Sequence, residues 1–220
     1  PNNVSKYDTK YKKAVNLGIY SADLSYATLY DQIQDIRFYI SASKNLAEDL
    51  GVMKAFDQDM IERVEYNLEE KDSMMSIVSE IYWIADAHLK ETDNVVVSSL
   101  MLYGGWIEAF YLATNLYSED IQNQALKTRI TEQKHSLDNL VLLLTKTAVI
   151  DEQINQCITN LKELQDLFNT FNLEEEAPVL LEEKQDGVNV IGGKSKMEMT
   201  QEQFNLLFKL VKEIRAKNIS

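Results

Sequence analysis

Val95-Val96-Val97-Ser98-Ser99-Leu100-Met101-Leu102-Tyr103-Gly104-Gly105-Trp106-Ile107-Glu108-Ala109-Phe110-Tyr111-Leu112-Ala113-Thr114-Asn115-Leu116-Tyr117-Ser118 carries a single charge, on Glu108. Its apolar residues recur on nearly every side of a 3.6-residue period, which predicts a helix at the centre of a bundle. A carboxylate on such a helix must find a partner or accept a raised pKa, because desolvation opposes its charge. Arg37, the only charge between Asp35 and Lys44, is the partner expected for it. Within the same run, Gly104-Gly105 gives up about 1 kcal/mol per residue relative to alanine in a helix. Paired glycines there predict close approach by another helix, or a kink; room for a ligand beside Trp106 is the alternative.

Outward from this centre, periodicity divides the chain into further helices. A short basic helix is expected over about Ser5–Leu17, stopped by Gly18 as a C′ residue. A long one follows over about Ser21–Leu50, ended by Gly51. Phe56–Leu68 is amphipathic. Asp72 or Ser73 caps a helix reaching about His88, and Asp93 or Asn94 opens the central one. Ser118 is expected to cap a helix to about Lys146. Asp151 is expected to cap the next, in which Ile154, Cys157, Ile158, Leu161, Leu164, Phe168 and Phe171 recur at helical spacing. Short connections imply antiparallel neighbours. Residues 174–199 change character: Val179–Leu181, a turn at Asp186-Gly187 and Val188–Ile191 read as a small β-hairpin. Thr200 with Gln203 is a capping-box pattern opening a last amphipathic helix over 200–217. The expectation is one all-α domain over 1–220. It comprises a helical body (1–173), a β-hairpin or loop insert (174–199) and a C-terminal helix, in an antiparallel bundle or irregular array.

Composition agrees. Seven glycines and two prolines in 220 residues are too few turn formers for an all-β sandwich or barrel. The net charge of −13 repels phosphate backbones, so nucleic acid is not an expected partner. No apolar run is read as approaching the ~18 residues of a membrane span. Cys157 is alone and forms no intrachain disulfide. A start at Pro1 is read as a trimmed or mature form.

Catalytic constellations are hard to assemble. Glu132-x-x-His135 is one half of a di-iron motif, but the other histidine, His88, has Ala85 three positions before it, so the set is incomplete. Two histidines and one cysteine do not make the usual structural zinc sets. Gly192-Gly193-Lys194-Ser195 lacks the glycine that a phosphate loop needs, Val188 standing there. No metal, cofactor or catalytic nucleophile is expected. Every Tyr and Trp lies within residues 1–117, so recognition by amphipathic aromatics falls in that half. Tyr20, Asp23, Tyr26, Tyr30 and Trp106, with Glu108 and Arg37, are the candidate ligand-binding residues. Trp83 projects away from the Ile77–Ile81–Ile84 stripe, either against a second helix layer or towards a partner.

Three stretches resemble predicted lipoproteins of Bacteroidetes-type bacteria: Asn16-Leu17-Gly18-Ile19-Tyr20-Ser21-Ala22-Asp23-Leu24-Ser25-Tyr26-Ala27; Gly104-Gly105-Trp106-Ile107-Glu108; and Gly192-Gly193-Lys194 with Met199-Thr200-Gln201-Glu202-Gln203-Phe204. The likeness spans most of the chain in similar order. That family has no assigned activity. The resemblance implies export to the cell envelope and a lipid anchor on a cysteine upstream of Pro1. The function expected is a non-enzymatic envelope protein binding a small molecule or protein partner. The alternatives are an enzyme with Glu108 as general acid or base in a Tyr/Trp-lined cavity, and a structural helical scaffold.

Overall fold

The computed structural model describes residues 4–148, 154–175 and 195–220. After a 3-10 turn at Val4–Lys6, the Thr9 hydroxyl accepts the Lys12 amide and opens α1 (Lys10–Leu29). A three-residue break leads into α2 (Ile33–Asp49), and Gly51, at φ 77°, ends it ahead of a second 3-10 turn at Val52–Ala55. The Asp57 carboxylate caps α3 (Gln58–Tyr66) through the Met60 amide. Then come α4 (Lys71–Glu91), α5 (Val95–Glu119), α6 (Gln124–Thr147, capped by Asn123) and α7 (Ile154–Phe168). Strands β1 (Asn172–Glu175) and β2 (Ser195–Glu198) pair antiparallel, Asn172 opposite Glu198. The Thr200–Gln203 capping box is formed at the start of α8 (Gln201–Asn218). The architecture is an all-α array with, among the described residues, one small strand pair before the last helix.

Helix α5 is its axis. It packs on α1, α4, α6 and α8, and α1 in turn contacts α2, α4 and α8. Helices α2, α3 and α4 thus gather along one part of the α1–α5 pair, and α6, α7 and α8 along another. Tyr103, Ile107 and Leu100 of α5 are buried with Leu137 and Leu144 of α6, Leu164 and Phe168 of α7, and Leu207 and Ile214 of α8. A smaller apolar cluster of Leu24, Ala27, Ile36, Met74 and Val78 joins α1, α2 and α4. By length and composition α5 is apolar enough to cross a membrane, a property the reading of apolar runs missed because Ser, Thr, Gly and Tyr interrupt them. Its neighbours on several sides account for that composition in a core helix.

Several expected boundaries move. Gly18 does not stop a helix and Ser21 does not start one; α1 runs through both. The glycine signal was real but tertiary: α5 crosses there, and close packing outweighs the propensity cost. The actual break falls where no glycine stands, with Asp31 at φ 54°, a left-handed conformation that aspartate tolerates better than most residues. Glu70, not Asp72 or Ser73, flanks the start of α4, and α5 continues past Ser118 so that Asn123 caps α6. The Asp151 cap and the strands expected at 179–191 lie outside the described residues.

Candidate functional site

At the α1–α5 crossing the two backbones touch. A Cβ on Gly18 would fall on the Met101 carbonyl oxygen, and one on Gly104 on the Val15 carbonyl oxygen, both far inside van der Waals contact. This intimacy brings a side chain of α1, Asp23, beside one of α5, Glu108. Glu108 is wholly buried, and Arg215 of α8 donates Nε to both its oxygens at 2.9 and 2.6 Å. The Arg215 guanidinium also lies 4.5 Å from the centre of the Tyr111 ring, a cation–π contact. The partner expected for Glu108 was Arg37; Arg37 is exposed on α2, and the counter-charge comes from α8. An interior position needs a cation that reaches it, and sequence isolation does not measure reach.

Asp23 is also buried, within hydrogen-bonding reach of Glu108 and Tyr39. Burial first, then the neighbouring Glu108 charge, push its carboxyl up to about 7, with Arg215 and the Tyr39 hydroxyl pulling the other way. Below about pH 7 Asp23 therefore keeps its proton and donates it to the Glu108 carboxylate. Burial also opposes the charge of Arg215, but the Glu108 hydrogen bond and charge outweigh it and hold its pKa above the ordinary value. Tyr20 continues the network: its ring is 6.0 Å from that of Tyr39, and its hydroxyl is 3.1 Å from that of Tyr7. Burial and the surrounding hydroxyl and carboxylate oxygens raise the phenols of Tyr20 and Tyr39 above their usual range.

This proton has a measurable consequence. Between about pH 4 and pH 7 the folded chain holds it while the unfolded chain has released it, so the Asp23 contribution to stability falls as pH rises across that window and is level above it. Asp23→Asn keeps a donor towards Glu108 without the titration. Its unfolding midpoint is expected to match wild type near pH 4 and exceed it by a few kcal/mol equivalent near pH 8. A difference independent of pH, in urea titrations at both values, would remove Asp23 from this role.

The remaining candidates are dispersed. Tyr26 and Tyr30 meet at a tilt of 42°, ring centres 4.6 Å apart, towards the exposed end of α1. Trp106 stacks on Phe110 and donates Nε1 to the Ser136 hydroxyl of α6 at 2.9 Å. Trp83 is 71% exposed on α4, so it does not pack a second layer. Tyr20, Asp23 and Glu108 are thus together, while Arg37, Tyr26, Tyr30 and Trp106 are elsewhere. Arg215, Tyr39 and Tyr7 complete the cluster and were not anticipated. Arg215 was masked by its company, since a basic residue in a last helical turn reads as a partner of the helix dipole.

A cavity of about 180 Å³ lies on a neighbouring face of α1, between α1, α2, the second 3-10 turn, α3, α4 and α5. Neither Asp23 nor Glu108 lines it. Its wall is almost wholly apolar and includes Met53, Met60, Met74 and Met101, four of the chain's seven methionines. They come from four separate elements, so no spacing in the sequence announces them. The polar groups at its lining are Ser21, Ser43, Lys44, Glu65 and Tyr82. The Ser21 hydroxyl is satisfied by the Leu17 carbonyl at 2.7 Å, whereas the buried Ser43 hydroxyl has no partner among the described residues. Among known proteins the chain matches no family model, no curated protein and no solved structure, so any reading of this cavity rests on the residues that form it.

Proposed function

We propose that the protein is a non-enzymatic binding protein of the bacterial cell envelope that takes an apolar small molecule into the methionine-lined cavity. The cavity itself carries the reading. Protein interiors are packed to crystal-like density, yet some 180 Å³ stays open among six elements. An engineered hydrophobic cavity of about 150 Å³ in another protein binds benzene, so this one is large enough for a ring or a short alkyl chain. Methionine side chains are flexible and polarisable, and they suit surfaces that adapt to varied apolar shapes. The envelope location rests on the resemblance of 16–27, 104–108, 192–194 and 199–204 to predicted lipoproteins. The enzyme alternative asks a substrate to reach Glu108, and that carboxylate has no exposed surface and both oxygens engaged by Arg215.

Ethylbenzene is a suitable first probe. Saturation at about a hundred times its Kd adds about 2.7 kcal/mol to the folded state, or roughly 5–10 °C of Tm in a chain of this size. The methyl resonances of Met53, Met60, Met74 and Met101 are expected to shift with the same midpoint. If Tm and these four methyls stay unmoved up to the solubility limit, the binding reading fails.

A further inference from the structure

We infer that α3 is the lid of the cavity, latched onto α4 by the Arg63–Glu80 ion pair. The inference rests on the binding reading above and adds how a ligand enters and leaves. Exchange with a packed interior runs through whichever wall opens most readily. The walls here differ widely in what holds them. Helices α1 and α5 have their backbones in contact at Gly18 and Gly104. Helix α4 buries five side chains and α2 buries four. The second 3-10 turn buries Val52 and packs on both α2 and α4. Helix α3, by contrast, buries Met60 alone of its nine residues, and its packing is on α4.

Among the described residues, one polar tie joins α3 to another helix. Arg63 donates Nη1 and Nη2 to the two Glu80 oxygens at 3.3 and 2.8 Å. The same Nη1 lies 4.0 Å from the Met60 sulfur, so the latch stands beside the one side chain that α3 sinks into the cavity wall. Both partners are partly exposed, 47 and 41%. Water therefore screens their attraction, and the tie holds the helix without locking it. Away from α4 a nine-residue helix is too short to keep its backbone hydrogen bonds. Each opening thus clears one wall of the cavity and exposes the α3 amides to solvent.

The test reads the entry and release rates of ethylbenzene from relaxation dispersion of the 13C-methyl signals of Met53, Met60, Met74 and Met101 at partial saturation. Arg63→Glu sets like charges at the latch and is expected to raise both rates together, by about five-fold or more. Arg63→Gln, which only removes the pair, should raise them about two-fold. Arg63→Glu combined with Glu80→Arg rebuilds the pair in reverse and should bring both rates back to within about two-fold of wild type. Arg129→Gln breaks an exposed pair with Glu132 on α6, off the cavity, and should move neither rate. In hydrogen exchange the amides of 62–66 are expected to exchange faster than those of α1 and α5, and to slow at least about ten-fold when ethylbenzene saturates the site. Rates unmoved by Arg63→Glu, or raised and not returned by the charge swap, overturn the latch while leaving the apolar site standing. Exchange of 62–66 unchanged at saturation overturns the lid in the same way. If ethylbenzene moves none of the four methyls, the binding reading falls and the lid with it.

Discussion

Gly104→Ala is expected to cost about 3 kcal/mol or more, a loss of roughly 6–12 °C in Tm. The added methyl would occupy the position of the Val15 carbonyl oxygen, and a carbonyl within a helix cannot step aside as a flexible side chain does. The helices must separate, and every contact along the α1–α5 seam loosens with them. Gly18→Ala meets the Met101 carbonyl and should behave alike. Gly105→Ala is the internal control. Its Cβ would stand 3.4 Å from the Gly18 carbonyl oxygen, a contact a small shift relieves, while alanine returns about 1 kcal/mol of helix propensity. Thermal and urea unfolding of the three variants should therefore separate Gly18 and Gly104 from Gly105. Equal and small effects at all three would mean that the crossing is looser than its geometry.

Arg215→Met is expected to cost about 3–5 kcal/mol at neutral pH, because it leaves the Glu108 carboxylate buried without a counter-charge. Its methylenes and sulfur fill the space of the arginine stem, so the loss reports charge more than volume. The pair itself need not be net stabilising: two charges withdrawn from water repay much of their attraction as desolvation. Glu108→Leu combined with Arg215→Met should accordingly recover most of what Arg215→Met loses. Arg215→Lys retains the charge but not the planar guanidinium over Tyr111, and falls between. A single Arg215→Met variant within about 1 kcal/mol of wild type in urea titrations would show that water reaches Glu108.

What could be read from the residues followed physical range. The central helix, its buried carboxylate and the glycine contact were legible because they depend on composition and periodicity within one segment. The Thr200–Gln203 cap was legible for the same reason. The α1 boundaries were not. Gly18 gives the same local signal whether it ends a helix or admits another backbone, and only the tertiary partner, α5, distinguishes the two. The counter-ion of Glu108 lay 107 positions away, beyond any rule of spacing. The cavity was least legible of all, since it is space left between elements, and its four methionines look like ordinary core residues one by one.

The separation of Glu108 from Arg215 also orders events during synthesis. Helices α1 and α5 are both made before α8, so the crossing that buries Asp23 and Glu108 is available before the cation that neutralises Glu108. Until then, closing the seam at neutral pH means withdrawing a carboxylate from water unaccompanied. That part of the seam closes dry, with its carboxylate paired, only once α8 supplies Arg215.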